Sequence, residues 1–287
     1  AANESQATAN MLILKCHLPH VVHACFEIVN CSGDTTQQCL RVAVGLSAAT
    51  CTPIYVHKIV HPPFTKALAA PNCGTDPGLT PQSVKMIQLA ANMTADPGMD
   101  PKSYDAQSLQ NVKKYENNFY YVPHLQYTGG EITYNVKKAS VCDAVHVVLP
   151  MMVFAQRGPS TFTCSGATEA PGYVTADFWD FLMVPILHKM GVDVDFEIQK
   201  RGAFPNGDGT IKLTVEEPLQ KTKTLKPITM VQPGQLQSIQ AWVSVSKHVS
   251  EEFAETAAKY VYDLLTQRTA PSVELEVAVR REVDYDE

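Results

Sequence analysis

The sequence predicts an α+β fold, an α/β sandwich in which a strand-helix-strand-helix-strand-strand order (βαβαββ) occurs twice. Three observations lead there. Short β-branched runs alternate with stretches whose apolar residues fall at helical spacing. The order recurs over a domain-sized interval, and Gly, Pro, Asn and Asp punctuate it where the chain must turn. With 45% hydrophobic and 18% charged residues, the 287-residue chain is apolar enough to bury two cores. The longest apolar run, residues 145–155, contains His146 and Pro150 and falls short of the roughly 18 residues that span a bilayer.

The elements follow in order. Residues 1–20 open with the polar AANESQATAN, without the arginines of a transit peptide, and are expected to form a flexible lead-in. Ala1 in place of Met fits either removal of an initiator Met or cleavage of a presequence. A first repeat is expected over residues 21–137. Residues 21–29 read as a strand, ended by Ser32, Gly33 and Asp34. Residues 38–50 read as a helix with Leu40, Val44 and Ala48 on one face, although Gly45 weakens its middle. Residues 54–59 alternate as a strand, a Pro-rich excursion covers 61–81, and a second helix spans 82–92. Residues 119–122 and 131–136 are expected to pair as a hairpin through Gly129 and Gly130.

The second repeat is expected over residues 138–225: a helix at 140–156, a strand at 161–164, a helix at 176–190, then strands at 192–200 and 210–215. The last two are joined through Asn206-Gly207 and Asp208-Gly209, both strong turn dipeptides. After a polar, Pro-containing linker at 221–233, residues 226–287 hold a βαβ unit. It comprises a strand at 238–245, a helix at 250–267 capped by Ser250 with Glu251 and Glu252 in its first turn, and a strand at 273–279. The closing RREVDYDE is expected to be a solvated acidic tail.

A net charge of −6 argues against coating nucleic acid through bulk electrostatics, which requires Lys and Arg to neutralise phosphates. It leaves a local RNA groove open. The eight cysteines (Cys16, Cys25, Cys31, Cys39, Cys51, Cys73, Cys142, Cys164) form no CxxC pair and are too widely spaced for a secreted disulfide scaffold. They read as reduced thiols in an intracellular compartment, nucleolar, cytoplasmic or on the mitochondrial matrix side.

Three segments carry a resemblance. KRGAFPNGDGTI at 200–211 is similar to a RGxYPxGGGEV hairpin; Pro77, Gly78, Leu79, Pro81 and Gln82 match PGLRPQH; and Gly166 to Thr168 followed by Asp177-Phe178 match GGT followed by DY. Their joint order over residues 22–279 resembles the RNA 3'-terminal phosphate cyclases and their cyclase-like relatives in ribosome biogenesis. The resemblance implies βαβαββ repeats with a small domain inserted between the second and third, and residues 238–279 look like the beginning of that insert. It also implies that the third repeat, which in the family carries the histidine that accepts the adenylyl group, has no counterpart within these residues.

That family passes AMP through a covalent histidine and cradles phosphate in a GEGGGQxxR loop, where glycines let backbone N–H groups approach the anion. Here Gly33, Asp34, Thr35, Thr36, Gln37, Gln38 and Arg41 stand in that place. Thr35, Thr36 and Gln37 carry Cβ atoms that restrict positive φ and close backbone approach. Asp34, Gln38 and Arg41 survive in type as a vestigial nucleotide or RNA contact, with Gln82 from the second matching segment. Against this stands the reading of a plain helix start with solvated polar residues. Thr80 and Ser83 occupy positions where the family has Arg and His, which removes further donors. Arg201 offers a planar fork to phosphate, although the glycines after it serve equally as a simple turn.

No catalytic residue, cofactor or metal is expected. Cys16, His17, His20, His23 and Cys25 lack zinc-finger spacing, and in a strand His17 and His20 face opposite sides. The resemblance with an eroded loop implies a catalytically inactive scaffold or binding subunit of a ribonucleoprotein, in the ribosome or its assembly. The alternatives are a structural subunit of another large, even mitochondrial, complex, and a cyclase completed in trans by a second chain. Protein partners are expected, with RNA open and no membrane insertion.

Overall fold

The computed structural model describes residues 13–15, 25–30, 36–57, 59, 78–95, 109–110, 112, 118–171, 173–219, 224–232, 234–246 and 248–283. Two mixed sheets and a small parallel pair of strands make up its β-structure, which with the helices gives the expected α+β class. In the first sheet, β1 (Ile13–Lys15) pairs antiparallel with β2 (Cys25–Asn30). Helix α1 (Thr36–Thr50) carries the chain across to β3 (Ile54–His57), parallel to β2, as a crossover must between parallel neighbours. Helix α2 (Pro81–Met93) follows; Thr80 caps it by accepting from Ser83 N at 2.9 Å, with Pro81 in its first turn. Strands β4 (Leu109–Gln110) and β5 (Asn118–Tyr121) close the sheet in the order β1-β2-β3-β5-β4.

The second sheet repeats that plan. Strand β6 (Gly130–Ser140) runs parallel to β7 (Ser160–Ala167) through the crossover helix α3 (Val141–Val153). Helices α4 (Ala176–Phe178) and α5 (Val184–Lys189) lead to β8 (Asp193–Lys200) and β9 (Gly209–Glu217). The order β6-β7-β9-β8 reproduces that of β2-β3-β5-β4, with β5 and β9 each antiparallel to both of their neighbours. Each sheet buries one face. Phe119 and Tyr121 in the first, and Phe162, Ile211 and Leu213 in the second, have essentially no exposed surface, and each such side chain contributes on the order of 2 kcal/mol.

The helical layers of the two halves meet where α1 crosses α3. A Cβ on Gly45 would lie 2.7 Å from the Val147 carbonyl oxygen. The glycine that weakened the expected helix is what permits this approach. Helix α3 is buried along nearly its whole length, from Val141 to Val153.

The third unit is the parallel pair β10 (Ser238–Ser246) and β11 (Glu274–Val283), joined by α6 (Glu251–Thr266). Ser250 caps α6 by accepting from Phe253 N at 3.3 Å, with Glu251 and Glu252 in the first turn as expected.

Four expectations need correction. Residues 119–122 and 131–136 do not pair: β5 closes the first sheet and β6 opens the second. Gly129 and Gly130 (φ +99° and +117°) redirect the chain between sheets instead of making a hairpin, and a Cβ on Gly129 would lie 2.2 Å from the Arg157 carbonyl oxygen. The helix expected at 176–190 is broken by a π-turn at Trp179–Met183. The closing residues are not a solvated tail from Arg280 onward, because β11 continues through Val283. Within the segment expected as a lead-in, Ile13–Lys15 forms a strand. Residues 16–24 and 284–287 lie outside the described residues.

Candidate functional site

The α1–α3 crossing positions the first cluster. Arg41 and Asp143 each lie four residues before the crossing pair Gly45 and Val147, and Arg41 Nη1 donates to Asp143 Oδ2 at 2.9 Å. Both side chains are buried, with 10% and 2% exposed. Gln82, in the first turn of α2, donates through Nε2 to the same oxygen. One carboxylate therefore gathers residues from three helices, and Arg41 Nε has no partner among the described residues.

Burial governs the electrostatics. It pushes the Asp143 carboxyl up to about 6, with Arg41 acting in the opposite direction. Tyr173 is raised by burial and then by Asp143, so its phenol also faces this cluster. His146 is lowered by burial first; its Nδ1 donates to the Cys142 carbonyl at 2.8 Å, and its ring meets Trp179 edge-on at 4.9 Å. Burial also pushes the Cys142 and Cys164 thiols up to about 12, which leaves them as inert apolar groups. Cys51, Cys142 and Cys164 form no disulfide among the described residues.

A second cluster joins the second sheet's helices to the third unit. Arg201, just before the β8–β9 loop, donates to Asp177 from Nη2 (2.7 Å) and Nη1 (2.9 Å), and from Nη1 to Glu169 at 3.0 Å. Arg280 of β11 reaches the same aspartate at 2.9 Å, and its guanidinium lies 4.6 Å from the Trp242 ring centroid. Burial would raise the Asp177 carboxyl, but the hydrogen bonds from Arg201 and Arg280 outweigh it and leave the group lowered. Arg201 is raised, chiefly by its hydrogen bond to Asp177.

Of the residues singled out from the sequence, Arg41 and Gln82 come together on Asp143, while Arg201 makes its contacts in the second cluster. Asp34 lies outside the described residues. Gln38 falls within α1, but its side chain is not described; the same holds for Cys25 in β2, and Cys16, His17, His20 and His23 lie outside. Thr80 and Ser83 are occupied with each other at 2.7 Å in the helix cap. Asp143 is the residue that sequence reading missed. A lone carboxylate in the apolar run VCDAVHVVLPMMV was the available signal, since a buried charge demands a partner.

Chemically, the first cluster is self-neutralised: the Arg41 guanidinium and the Gln82 amide are both held by a carboxylate of the chain itself. Residues 33–270 match the family model described as RNA 3'-terminal phosphate cyclase. Among curated relatives, the RNA 3'-terminal phosphate cyclase of Staphylothermus marinus is 28% identical over 243 residues, 83% of this chain and 60% of the relative. That of Thermococcus kodakarensis is 28% identical over 89% of this chain and 66% of its own length. A probable RNA 3'-terminal phosphate cyclase of Dictyostelium discoideum is 32% identical over 138 residues, 46% of this chain. The chain thus spans 60% and 66% of the length of the two archaeal relatives.

Proposed function

The chain belongs to the RNA 3'-terminal phosphate cyclase family, and on that premise we propose that it is a catalytically inactive member, a scaffold or binding subunit of a ribonucleoprotein such as the ribosome or an assembly intermediate. The observation that carries this reading is the contact between Arg41 and Asp143. For a nucleotide phosphate to take the guanidinium, Asp143 must release it and stay behind as a buried carboxylate without its cation. Leaving one member of a buried pair uncompensated costs on the order of 3–5 kcal/mol, enough to cancel most of what a charge-assisted phosphate contact returns. The replacement of the family's loop glycines by Thr35, Thr36 and Gln37 supports the same reading, because residues with a Cβ restrict the backbone approach that a phosphate cradle needs.

A second reading, a structural subunit of another large and even mitochondrial complex, draws on a different observation. Met230, Val231, Leu236 and Tyr260 are 72%, 82%, 60% and 68% exposed, and apolar surface of this kind is what a protein interface covers.

One experiment addresses both. The full-length protein is incubated with α-labelled ATP, Mg²⁺ and an RNA ending in a 3'-phosphate, and the natively purified assembly is analysed for RNA. No protein-bound label, no cyclic phosphate and co-purifying RNA are expected. Covalent label or cyclic product sinks the proposal, and a protein assembly devoid of RNA moves it to the second reading.

A further inference from the structure

Among the described residues the two mixed sheets and the parallel pair have six edge strands, and five of these are blunted. A sheet edge presents a row of unpaired backbone N–H and C=O groups, which folded proteins protect by brevity, by charge or by proline. In the first sheet the edges are short, three residues in β1 and two in β4. In the second they are charged: β6 carries Glu131, Lys137 and Lys138, and β8 carries Asp193, Asp195, Glu197 and Lys200. Strand β11 carries Glu274, Glu276, Arg280 and Arg281. Strand β10 is the exception. Its nine residues, SIQAWVSVS, include no charge, no proline and no glycine, and Ile239, Trp242, Val243 and Val245 suit a pleated strand.

The register shows which of its backbone groups are left over. The Gln237 carbonyl accepts from Glu274 N at 2.9 Å, and Ser238 stands opposite Glu274. Backbone groups point to alternate sides along a strand, so the odd-numbered residues of β10 bond to β11. The N–H and C=O groups of Gln240, Trp242 and Ser244 therefore point to the open edge, where no described strand pairs with them. Side chains stand above and below the sheet, so Phe181 and Arg280, which lie against the Trp242 ring, do not close this edge. The unit is also thinly packed. Val245 and Ala254 are the buried apolar residues among those described in it, while Phe253 and Tyr260 of α6 are 64% and 68% exposed. A sheet with a hydrophobic face gains stability as strands are added to it.

We propose that β10 pairs edge to edge with β10 of a second copy of this chain, antiparallel across a two-fold axis, to make a continuous four-stranded sheet β11-β10-β10-β11. Each copy carries the same bare edge, so one self-complementary contact closes both. In every antiparallel register β10 sets no charged side chain against another. A strand of a different protein would have to bring an equally unguarded edge, whereas a second copy always has one. The bonds join backbone groups of two chains that each carry a net charge of −6, so salt should not weaken them. The inference rests on β10 alone and holds whether or not the chain is a scaffold within a ribonucleoprotein.

The test is sedimentation equilibrium of the full-length protein. A monomer–dimer equilibrium is expected, unchanged or tightened when salt is raised from about 0.1 to about 0.5 M. Gln240→Pro with Ser244→Pro removes two N–H groups that face the open edge and none that face β11, the placement in which edge strands tolerate proline. The dissociation constant should rise roughly a hundredfold or more, because each copy loses two donors to the new ladder. Ser238→Lys with Gln240→Lys gives β10 the charge that the longer edges carry, with each lysine opposite a glutamate of β11, and should weaken the dimer roughly tenfold. Circular dichroism and thermal unfolding verify each variant's fold, and the lysine variant decides if the proline variant does not fold. The proposal is overturned if the protein is a monomer at every concentration, as it would be were another protein's strand the occupant. It is equally overturned if salt dissociates the dimer, or if a folded variant dimerises like the parent.

Discussion

Two aspartates in this molecule each meet arginine, and they titrate in opposite directions. Asp143 has one guanidinium and 2% exposure, and its carboxyl rises to about 6. Asp177 has two guanidinium groups and 24% exposure, and its carboxyl falls below the usual carboxylate range. The number of cations against the depth of burial decides the sign. A buried pair that barely offsets its own desolvation contributes little to stability yet is costly to break, whereas a wetter cluster with more donors holds its charge with ease.

The largest effect should come from breaking the deeper pair. Arg41→Met leaves Asp143 without its cation and is expected to cost about 3–5 kcal/mol at pH 7, read by urea unfolding. Arg41→Met combined with Asp143→Leu should recover most of that loss, because both charges leave together; a double variant as weak as the single one would contradict the account. Next, Asp177→Asn removes the acceptor shared by Arg201 and Arg280. A cost of about 2 kcal/mol is expected, with faster proteolytic cleavage between residues 224 and 237, whose described residues are largely exposed and without regular structure.

The smallest effect is the pH dependence, and it sharpens the contrast in sign. Asp143 binds a proton more tightly in the folded chain than at its ordinary value of 3.8. Folding therefore gains as pH falls from about 6 toward 3.8, and the cost of the charged form is fully present above about 6. Relative to Asp143→Asn, the parent should be more stable at pH 5 than at pH 7 by about 1 kcal/mol. Asp177 acts the other way, contributing above 3.8 and losing its contribution as pH falls through its lowered value. The stability of Asp177→Asn and the parent should converge in acid, as followed by circular dichroism.

The same two clusters mark how far the sequence could be read. Helices α1, α2 and α6 stand within two residues of their expected bounds, because helical spacing, Thr80 or Ser250 at a cap, Pro81 as a start and Pro53 as a stop are local signals. Strand partnership is not local. Gly129 and Gly130 look like a hairpin turn in sequence, and only the Arg157 carbonyl packed against Gly129 shows why they divert the chain to another sheet. The π-turn at Trp179–Met183 ends two residues before Pro185, whose missing N–H interrupts the helical ladder and was the local signal in the stretch expected as one helix. In the site, Arg41, Gln82 and Arg201 were visible because they sit in recognisable segments. Their acidic partners were not, since Asp143 meets Arg41 only through the crossing at Gly45, and Arg280 reaches Asp177 across 103 residues.

That long-range contact has a mechanical consequence. Arg280 is in β11, which β10 holds along its length, and Asp177 is in the second half, so a pull on β11 is shared between β10 and, sideways, the Arg201 fork. Asp177 therefore staples the third unit to the second by a route separate from the covalent connection.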